Sequence, residues 1–513
     1  MDNFLKYFAQ DIGNIFYEFL NIFKAIFDFF LSIFDIGSRM EAIERNGAEF
    51  NLLEWILFIV ANIVLLAIIV LLIVFAVKLG KKIFRFRVPI KKLDEAEKKV
   101  TELKREIIKL TYEKDRILSM KMGGLDKPEV EGEEAVQVAS NRNTVDSPCV
   151  DPAASRFFRL TTVDNYYKEI YTRPEYDNEI TLEELCVKFR AFAASKLHLY
   201  YDLSLIRHFI ASMGTVRIII LQGISGTGKT SLPYAFGKFV NNDSTVVSVQ
   251  PAWRERTELY GYFNEFTSKY TETEFLRAVY ESNYFRDPGI VILDEMNIAR
   301  VEYYFAEMLS ILEMPIESEW KVNVTSATWD NDPCLIEDGK VRIPNNVWFV
   351  GTINNDDSTF AVADKVYDRA IPIDLDSRAP AFEVEEESTI RISTDHLSDM
   401  FEEAKINYPI SEETVEKLEA VNAYLMKNFR LAFGNRIMKQ LKDYVPCYIA
   451  CGGTELEAVD FMVAKKVLRK FESLSLDFMK DELNNFITYL DRTFGKDNMP
   501  ICKEYINYLK RMN

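Results

Sequence analysis

The chain has 513 residues and a formal net charge of -17, with six cysteines and three histidines. That length exceeds a single hydrophobic core and predicts two or three folded units. The acidic balance argues against a general nucleic-acid binder, whose phosphate contacts need clustered Lys and Arg. The cysteines contain no C-x-x-C pair and histidines are few, which argues against zinc. The five cysteines after Cys149 read as reduced thiols of a cytosolic compartment, with Cys447 and Cys451 one helical turn apart on a packed face.

In residues 3–36, Phe, Ile, Leu and Tyr dominate, but Gln10, Asn14, Glu18, Asn21, Asp28, Ser32 and Asp35 recur at helical spacing. This predicts a helix with a narrow polar stripe, within a membrane-associated segment 1–53. It either lies among the headgroups or inserts with its stripe turned to a water-filled lumen. The carboxylates favour the first, because insertion would desolvate them.

Trp55 to Val77 is apolar except for Asn62. As a helix it spans about 34 Å, enough for a hydrocarbon core of roughly 30 Å, and predicts a transmembrane segment over 54–78. Lys78, Lys81, Lys82, Arg85, Arg87, Lys91 and Lys92 follow it, whereas residues 1–54 carry only Lys6, Lys24, Arg39 and Arg45. The positive-inside rule therefore predicts a single-pass protein with its N-terminus outside and its bulk in the cytoplasm. The run is too long and too far from the start for a cleaved signal peptide.

Residues 79–122 combine that basic juxtamembrane stretch with a heptad seam. Leu93, Ala96, Val100, Leu103, Ile107, Leu110, Lys114 and Ile117 alternate steps of three and four, predicting a self-associating coiled coil. Gly123-Gly124 stops the helix. The acidic stretch 123–155, with Pro128, Pro148 and Pro152, reads as a flexible linker.

Residues 156–215 read as helical and lead into the β-branched run Val216–Leu221. Next comes Gly223-Ile224-Ser225-Gly226-Thr227-Gly228-Lys229-Thr230, a G-x-x-x-x-G-K-[ST] loop between a strand and the helix that Ser231 opens. Backbone N–H groups across Gly223, Ser225, Gly226, Thr227, Gly228 and Ser231 suit a polyphosphate, helped by the positive helix N-terminus. Lys229 is the residue to reach the β- and γ-phosphates, and the Thr230 hydroxyl the one to ligate Mg²⁺. Downstream, Ile290-Val291-Ile292-Leu293-Asp294-Glu295 reads as a buried parallel strand delivering two carboxylates at its tip. Asp294 suits a metal held largely through water, and Glu295 the polarising of an attacking water.

A further strand, Val347–Ile353, ends at Asn354-Asn355. Asn354 either bridges a γ-phosphate and the lytic water or simply forms a turn. Asp368-Arg369 is either a surface ion pair or places an arginine against a neighbouring subunit's nucleotide. Residues 380–513 read as helical, with a capping box at Ser411 and a helix opening at Gly434-Asn435-Arg436.

Residues from about 215 to 375 resemble an AAA+ ATPase, specifically the McrB-like branch near the MoxR and dynein-type domains. The resemblance is carried by Gly223–Thr230, by Val249-Gln250-Pro251-Ala252-Trp253 with Leu259-Tyr260-Gly261-Tyr262, by Leu293-Asp294-Glu295-Met296-Asn297-Ile298-Ala299-Arg300, by Gly351-Thr352-Ile353-Asn354, and by Asp364–Arg369. It implies an α/β P-loop domain over 156–379 with a helical lid over 380–513, using ATP and Mg²⁺. It also implies Asn354 as sensor 1, Arg369 as a trans-acting arginine finger and Arg436 as a candidate sensor 2, though a salt-bridged surface arginine fits Arg436 nearly as well. An insertion over 257–275 and a β-hairpin over 313–345 are expected, the latter lining or capping a central pore. Two departures stand out. The run Asn354-Asn355-Asp356-Asp357-Ser358 does not carry over the guanine preference of McrB, and a membrane anchor replaces its DNA-reading domain.

The expectation is a membrane-anchored ring, most simply a hexamer, that couples ATP hydrolysis to remodelling or translocating a client. Activation of a separately encoded effector is the other output the resemblance implies, with anti-phage defence an analogy only. Nucleic acid is possible as a client but not indicated. Two alternatives are a membrane pore or sensor gated by the ring, and a nucleotide switch with little turnover.

Overall fold

The computed structural model describes residues 51–83, 90–122, 151–354, 359–473 and 479–512, with isolated positions before residue 51. Most of the predicted stripe helix, most of the linker and Asn355–Ser358 lie outside the described residues. The chain divides into two units, Met1–Lys98 and Lys99–Asn513.

In the first unit, Leu52–Ile83 is one helix. Its stretch Leu52–Phe75 is long and apolar enough to cross a membrane, and among the described residues no other helix is. The one polar interruption is satisfied internally: Asn62 Nδ2 donates to the Phe58 carbonyl one turn back at 2.9 Å. An amide bonded in this way is tolerable in an apolar surrounding.

The heptad helix runs Ile90–Met122, and from Lys99 onward it belongs to the second unit. Its seam residues Val100, Leu103, Ile107, Leu110 and Ile117 are exposed. A different face docks on the folded domain. Tyr112 is buried, stacks on Tyr166 with ring centroids 3.8 Å apart, and donates to Glu281. Asp115 pairs with Arg159 at 3.0 Å and with the buried Arg277 at 3.4 Å. Arg116 pairs with Asp243 at 2.8 Å. The stalk is thus fixed to the domain before the sequence reaches the linker.

The domain is built on five strands: β1 (Ile218–Gly223), β2 (Thr245–Ser248), β5 (Gly289–Asp294), β9 (Val347–Asn354) and β10 (Ala370–Asp374). They form one parallel sheet in the order β10-β1-β9-β5-β2. Side chains alternate between its faces, as a strand period of two requires. Ile219, Leu221, Ile290, Ile292, Trp348 and Val350 face one core; Ile218, Ile220, Val291, Leu293, Val347 and Phe349 face the other. Each such aliphatic contributes roughly 1.5–3 kcal/mol on burial. Continuous apolar runs are therefore what these strands need, because neither face meets solvent.

Two antiparallel insertions stand apart. β3 (Tyr262–Asn264) pairs with β4 (Lys269–Thr271) inside the expected 257–275 insertion. β6 (Lys321–Asn323), β7 (Ile336–Glu337) and β8 (Lys340–Arg342) form a three-stranded sheet, where the sequence suggested a simple hairpin. Arg156 fastens the loop between β6 and β7: its Nε and Nη2 grip both oxygens of Asp332 at 2.7 Å, in a fully buried bidentate pair.

Helices Thr394–Asn407, Glu412–Phe429, Asn435–Ala450, Glu455–Met462, Lys480–Phe494 and Pro500–Met512 complete the unit. The third of them packs on the helix Leu203–Met213, where His208 Nδ1 lies 2.6 Å from the Tyr444 hydroxyl and the ring stacks on Phe461. Burial lowers the His208 pKa to about 3. The unfolded chain takes up that proton near pH 6.5, while the folded chain refuses it down to about 3, so stability falls as pH drops through this window. Thermal unfolding followed from pH 7 to 4 should show this loss, at most about 1.4 kcal/mol per pH unit. His208→Phe should flatten the dependence.

Candidate active site

The sheet places its chemistry at the carboxyl ends of β1, β5 and β9. Register brings Leu293 level with Gly351 and Gly223 level with Asn354, so the tips of all three strands meet at one edge. Open α/β sheets bind ligands at this edge, beside the strand from which the order reverses. Here that strand is β1, and the phosphate loop leaves it at Gly223.

Gly223 has φ 140°, and a Cβ there would stand 2.5 Å from the Leu375 carbonyl oxygen. Only glycine fits this turn. Lys229 folds back across the loop, its Nζ donating to the carbonyls of Gly223 at 3.0 Å and Ile224 at 2.7 Å. Thr227 Oγ1 donates to the Ile224 carbonyl at 2.9 Å. Tyr201 reaches the Gly228 carbonyl at 3.3 Å, and Arg378 Nε reaches that of Gly226 at 2.8 Å. Helix Ser231–Phe239 follows at once, its N-terminus behind the loop.

Asp294 is the junction. Its Oδ1 accepts the Thr230 hydroxyl at 2.7 Å and the Thr352 hydroxyl at 2.9 Å. Thr352 Oγ1 in turn accepts the backbone N–H of Glu295 at 2.8 Å. Glu295 stands at φ 53°, a left-handed conformation uncommon outside glycine, and its carboxylate is exposed at the edge. Asn354 Nδ2 points at Glu295 Oε1, 3.4 Å away, while Asn297 Nδ2 holds the Asn354 carbonyl at 3.0 Å. Gly351 lets Met296 pass beneath: a Cβ there would fall 1.9 Å from the Met296 Sδ.

The donor set fits a magnesium nucleotide. A hydroxyl and a carboxylate 2.7 Å apart supply two hard oxygens beside a phosphate-binding loop. No group of three His, Cys, Asp or Glu side chains clusters among the described residues. A cation here would therefore draw its remaining ligands from phosphate and water, which is how Mg²⁺ is usually held.

The arginines lie elsewhere. Ala370 opens β10 level with Ile218, five residues before Gly223 in the register. Arg369, one residue earlier, is six residues below Gly223, which at about 3.3 Å per residue is about 20 Å below the phosphate loop, at the opposite edge of the sheet. Arg436, the candidate sensor 2 or salt-bridged arginine, is at this opposite edge too. It pairs with Glu313, the carboxylate that also holds Arg369. Gln440, one turn further along the same helix, donates to the Asp368 carbonyl at 3.1 Å. The helical region thus contacts the core on the arginine side as well as at Asp374 and Gln222, and Arg436 stands as a salt-bridged arginine, one of the two readings its sequence left open.

Sequence reading passed over Thr352, Tyr201, Arg378 and Glu313. Thr352 carried a signal, since it sits two residues before the strand tip at Asn354. The other three are single residues in unremarkable surroundings, brought in by packing alone.

A family model described as a domain of unknown function, DUF8727, matches residues 385–512. No curated protein sequence matches the chain. Among solved structures, a candidate ATPase from Cytophaga hutchinsonii is similar at 13% identity and TM-score 0.41, over 64% of this chain and 95% of that one. A full-length MCM homolog from Methanopyrus kandleri is similar at 12% identity and TM-score 0.32, over 57% of this chain and 61% of that one.

Thr352→Val keeps the shape of the side chain and removes both of its hydrogen bonds. Such supporting contacts typically carry about 10–100-fold in metal affinity. A Mg²⁺ titration of nucleotide binding should show a loss in that range, together with a modest fall in melting temperature from the two lost hydrogen bonds.

Proposed function

We propose that this chain is a membrane-anchored ATPase of the AAA+ type that works as a ring, most simply a hexamer. One observation carries the reading: Thr230, Asp294, Thr352, Glu295 and Asn354 form a continuous series of contacts across three strand tips at the mouth of the phosphate loop. Structural anchors alone would not need an exposed glutamate in a left-handed conformation at its centre.

In this reading the loop N–H groups and Lys229 bind the phosphates, and Thr230 and Asp294 would hold Mg²⁺, whose charge would help neutralise the phosphates. Glu295 accepts a hydrogen bond from the attacking water and polarises it, and Asn354 orients the same water towards the γ-phosphate. Arg369 neutralises charge that develops on the phosphoryl group of the adjacent subunit. Its placement some six residues of strand below the loop supports a role across a boundary, because its own phosphates are out of reach.

The membrane helix supports anchoring, with the N-terminus outside and the ATPase cytoplasmic as the flanking charges suggest. The exposed seam of the stalk supports assembly, since Val100, Leu103, Ile107 and Leu110 offer a heptad stripe to a second copy. The client is a protein or a partner effector that the ring remodels, translocates or activates.

Two variants test the chemistry. Lys229→Ala should abolish nucleotide binding. Glu295→Gln should retain binding and lose turnover by about 100-fold or more, as general-base losses do. Turnover of Glu295→Gln at the wild-type rate, in a phosphate-release assay, would remove Glu295 from the mechanism.

A further inference from the structure

Two arginines from distant parts of the unit close on one carboxylate. Glu313 lies in the turn after the helix Ala306–Ile311, at the root of the β6–β8–β7 insertion. Its Oε2 meets Arg369 Nη2 at 2.5 Å, and its Oε1 pairs with Arg436 Nη2. Arg369 is also held by its own turn, Nη1 donating to the Lys365 carbonyl at 2.8 Å. The lid reinforces the same spot. Lys466 is buried and donates to the carbonyls of Tyr367 at 2.6 Å and Ala370 at 2.8 Å, on either side of Arg369.

We propose that Glu313 is a positioning residue that gathers Arg369 and Arg436 into one paired unit, presented to the triphosphate of the adjacent subunit. The proposal rests on the reading of Arg369 as a group acting across a subunit boundary, and extends it to Arg436 through their shared carboxylate.

Three physical points support it. Two guanidinium ions repel one another, and a carboxylate between them, one oxygen to each, offsets that repulsion and fixes their spacing. Guanidinium has five N–H donors in a planar fork, so one bond to Glu313 leaves donors for phosphate oxygens. Lastly, Arg369 and Arg436 side chains are 21% and 49% exposed, at an edge remote from the chain's own phosphate loop. Only the Arg436 arm is about half exposed, and an ion pair that open contributes little to folding stability, so stability alone is a weak reason for bringing Arg436 to Glu313.

The test uses full-length protein and divides the two halves of the site between subunits. A Lys229→Ala subunit cannot bind nucleotide but can lend its arginines; an Arg369→Ala subunit binds nucleotide but lends no finger. Mixed, they should recover turnover that neither shows alone. Glu313→Gln added to the Lys229→Ala donor should cut the recovered kcat about tenfold or more, with KM within twofold. The same change in the Arg369→Ala acceptor should leave recovery intact, and Glu313→Asp in the donor should rescue part of it.

A donor carrying Glu313→Gln that restores turnover fully overturns the proposal and leaves the ring reading standing. Equal loss from donor and acceptor also overturns it, by making Glu313 a general structural residue. No recovery in the parent mixture removes the ring reading itself, and this proposal with it. Assembly of every variant is read by native mass measurement, so that a failure to form rings is seen directly.

Discussion

The site depends on one oxygen. Asp294 Oδ1 accepts hydroxyls from Thr230 and from Thr352, and so ties the end of the phosphate loop to the tips of β5 and β9. Each hydrogen bond to a charged group contributes roughly 1.5–3 kcal/mol, more than a neutral pair. Their larger effect is geometric. Thr352 also takes the Glu295 N–H, so the same hydroxyl that orients Asp294 holds Glu295 in its left-handed turn. The two carboxylates cannot move independently. A sheet that carries a triphosphate at its edge needs that rigidity, because an error of about 1 Å in positioning can cost a hundredfold in rate.

The sheet has two working edges. The carboxyl edge gathers acids, hydroxyls and loop N–H groups with Lys229, Arg378 and Lys465; the amino edge gathers Arg369 and Arg436 on Glu313, with Lys466 beside them. Parallel strands enforce the separation, since every β-strand enters from one edge and leaves at the other. The helical region touches both edges: Lys465 pairs with Asp374 at the carboxyl end of β10, and Arg469 reaches Gln222 at 3.5 Å beside the phosphate loop. Gln440 and Lys466 bind carbonyls of Tyr367, Asp368 and Ala370, immediately around Arg369.

Much of this was legible in the sequence, for physical reasons that differ between elements. The runs Ile218–Leu221, Ile290–Leu293 and Val347–Val350 announce buried parallel strands because no solvent-facing position interrupts them. The phosphate loop is legible because few residue types other than glycine can turn as Gly223 does. The register of β10 against β1 was not legible, and with it went the level of Arg369. Nothing local marks which strand will pair with which. The three-stranded sheet around β8 was hidden by its short strands, two or three residues each, too brief to show alternation. Arg436 left two readings open because an arginine at a helix start looks alike whether it reaches a phosphate or a carboxylate. The stalk deceived in another way. Its heptad seam masked a second face, where Tyr112 and Asp115 read as ordinary flanking positions.

That second face bears on how any motion of the stalk is received. Tyr112, Asp115 and Arg116 engage Glu281, Arg277, Arg159 and Asp243, spread over two helices and the turn before β2. Arg277 is almost fully buried and also lies over the Tyr112 ring. Breaking the contact would leave that guanidinium with fewer partners in a dry site, a costly state for a charge. The stalk from Lys99 onward therefore moves with the helix Glu274–Glu281 and not against it. That helix leads directly into β5, whose tip is Asp294. A stalk held in this way behaves as an outer layer of the domain, so self-association along its seam would bring whole ATPase units together and not merely their tethers.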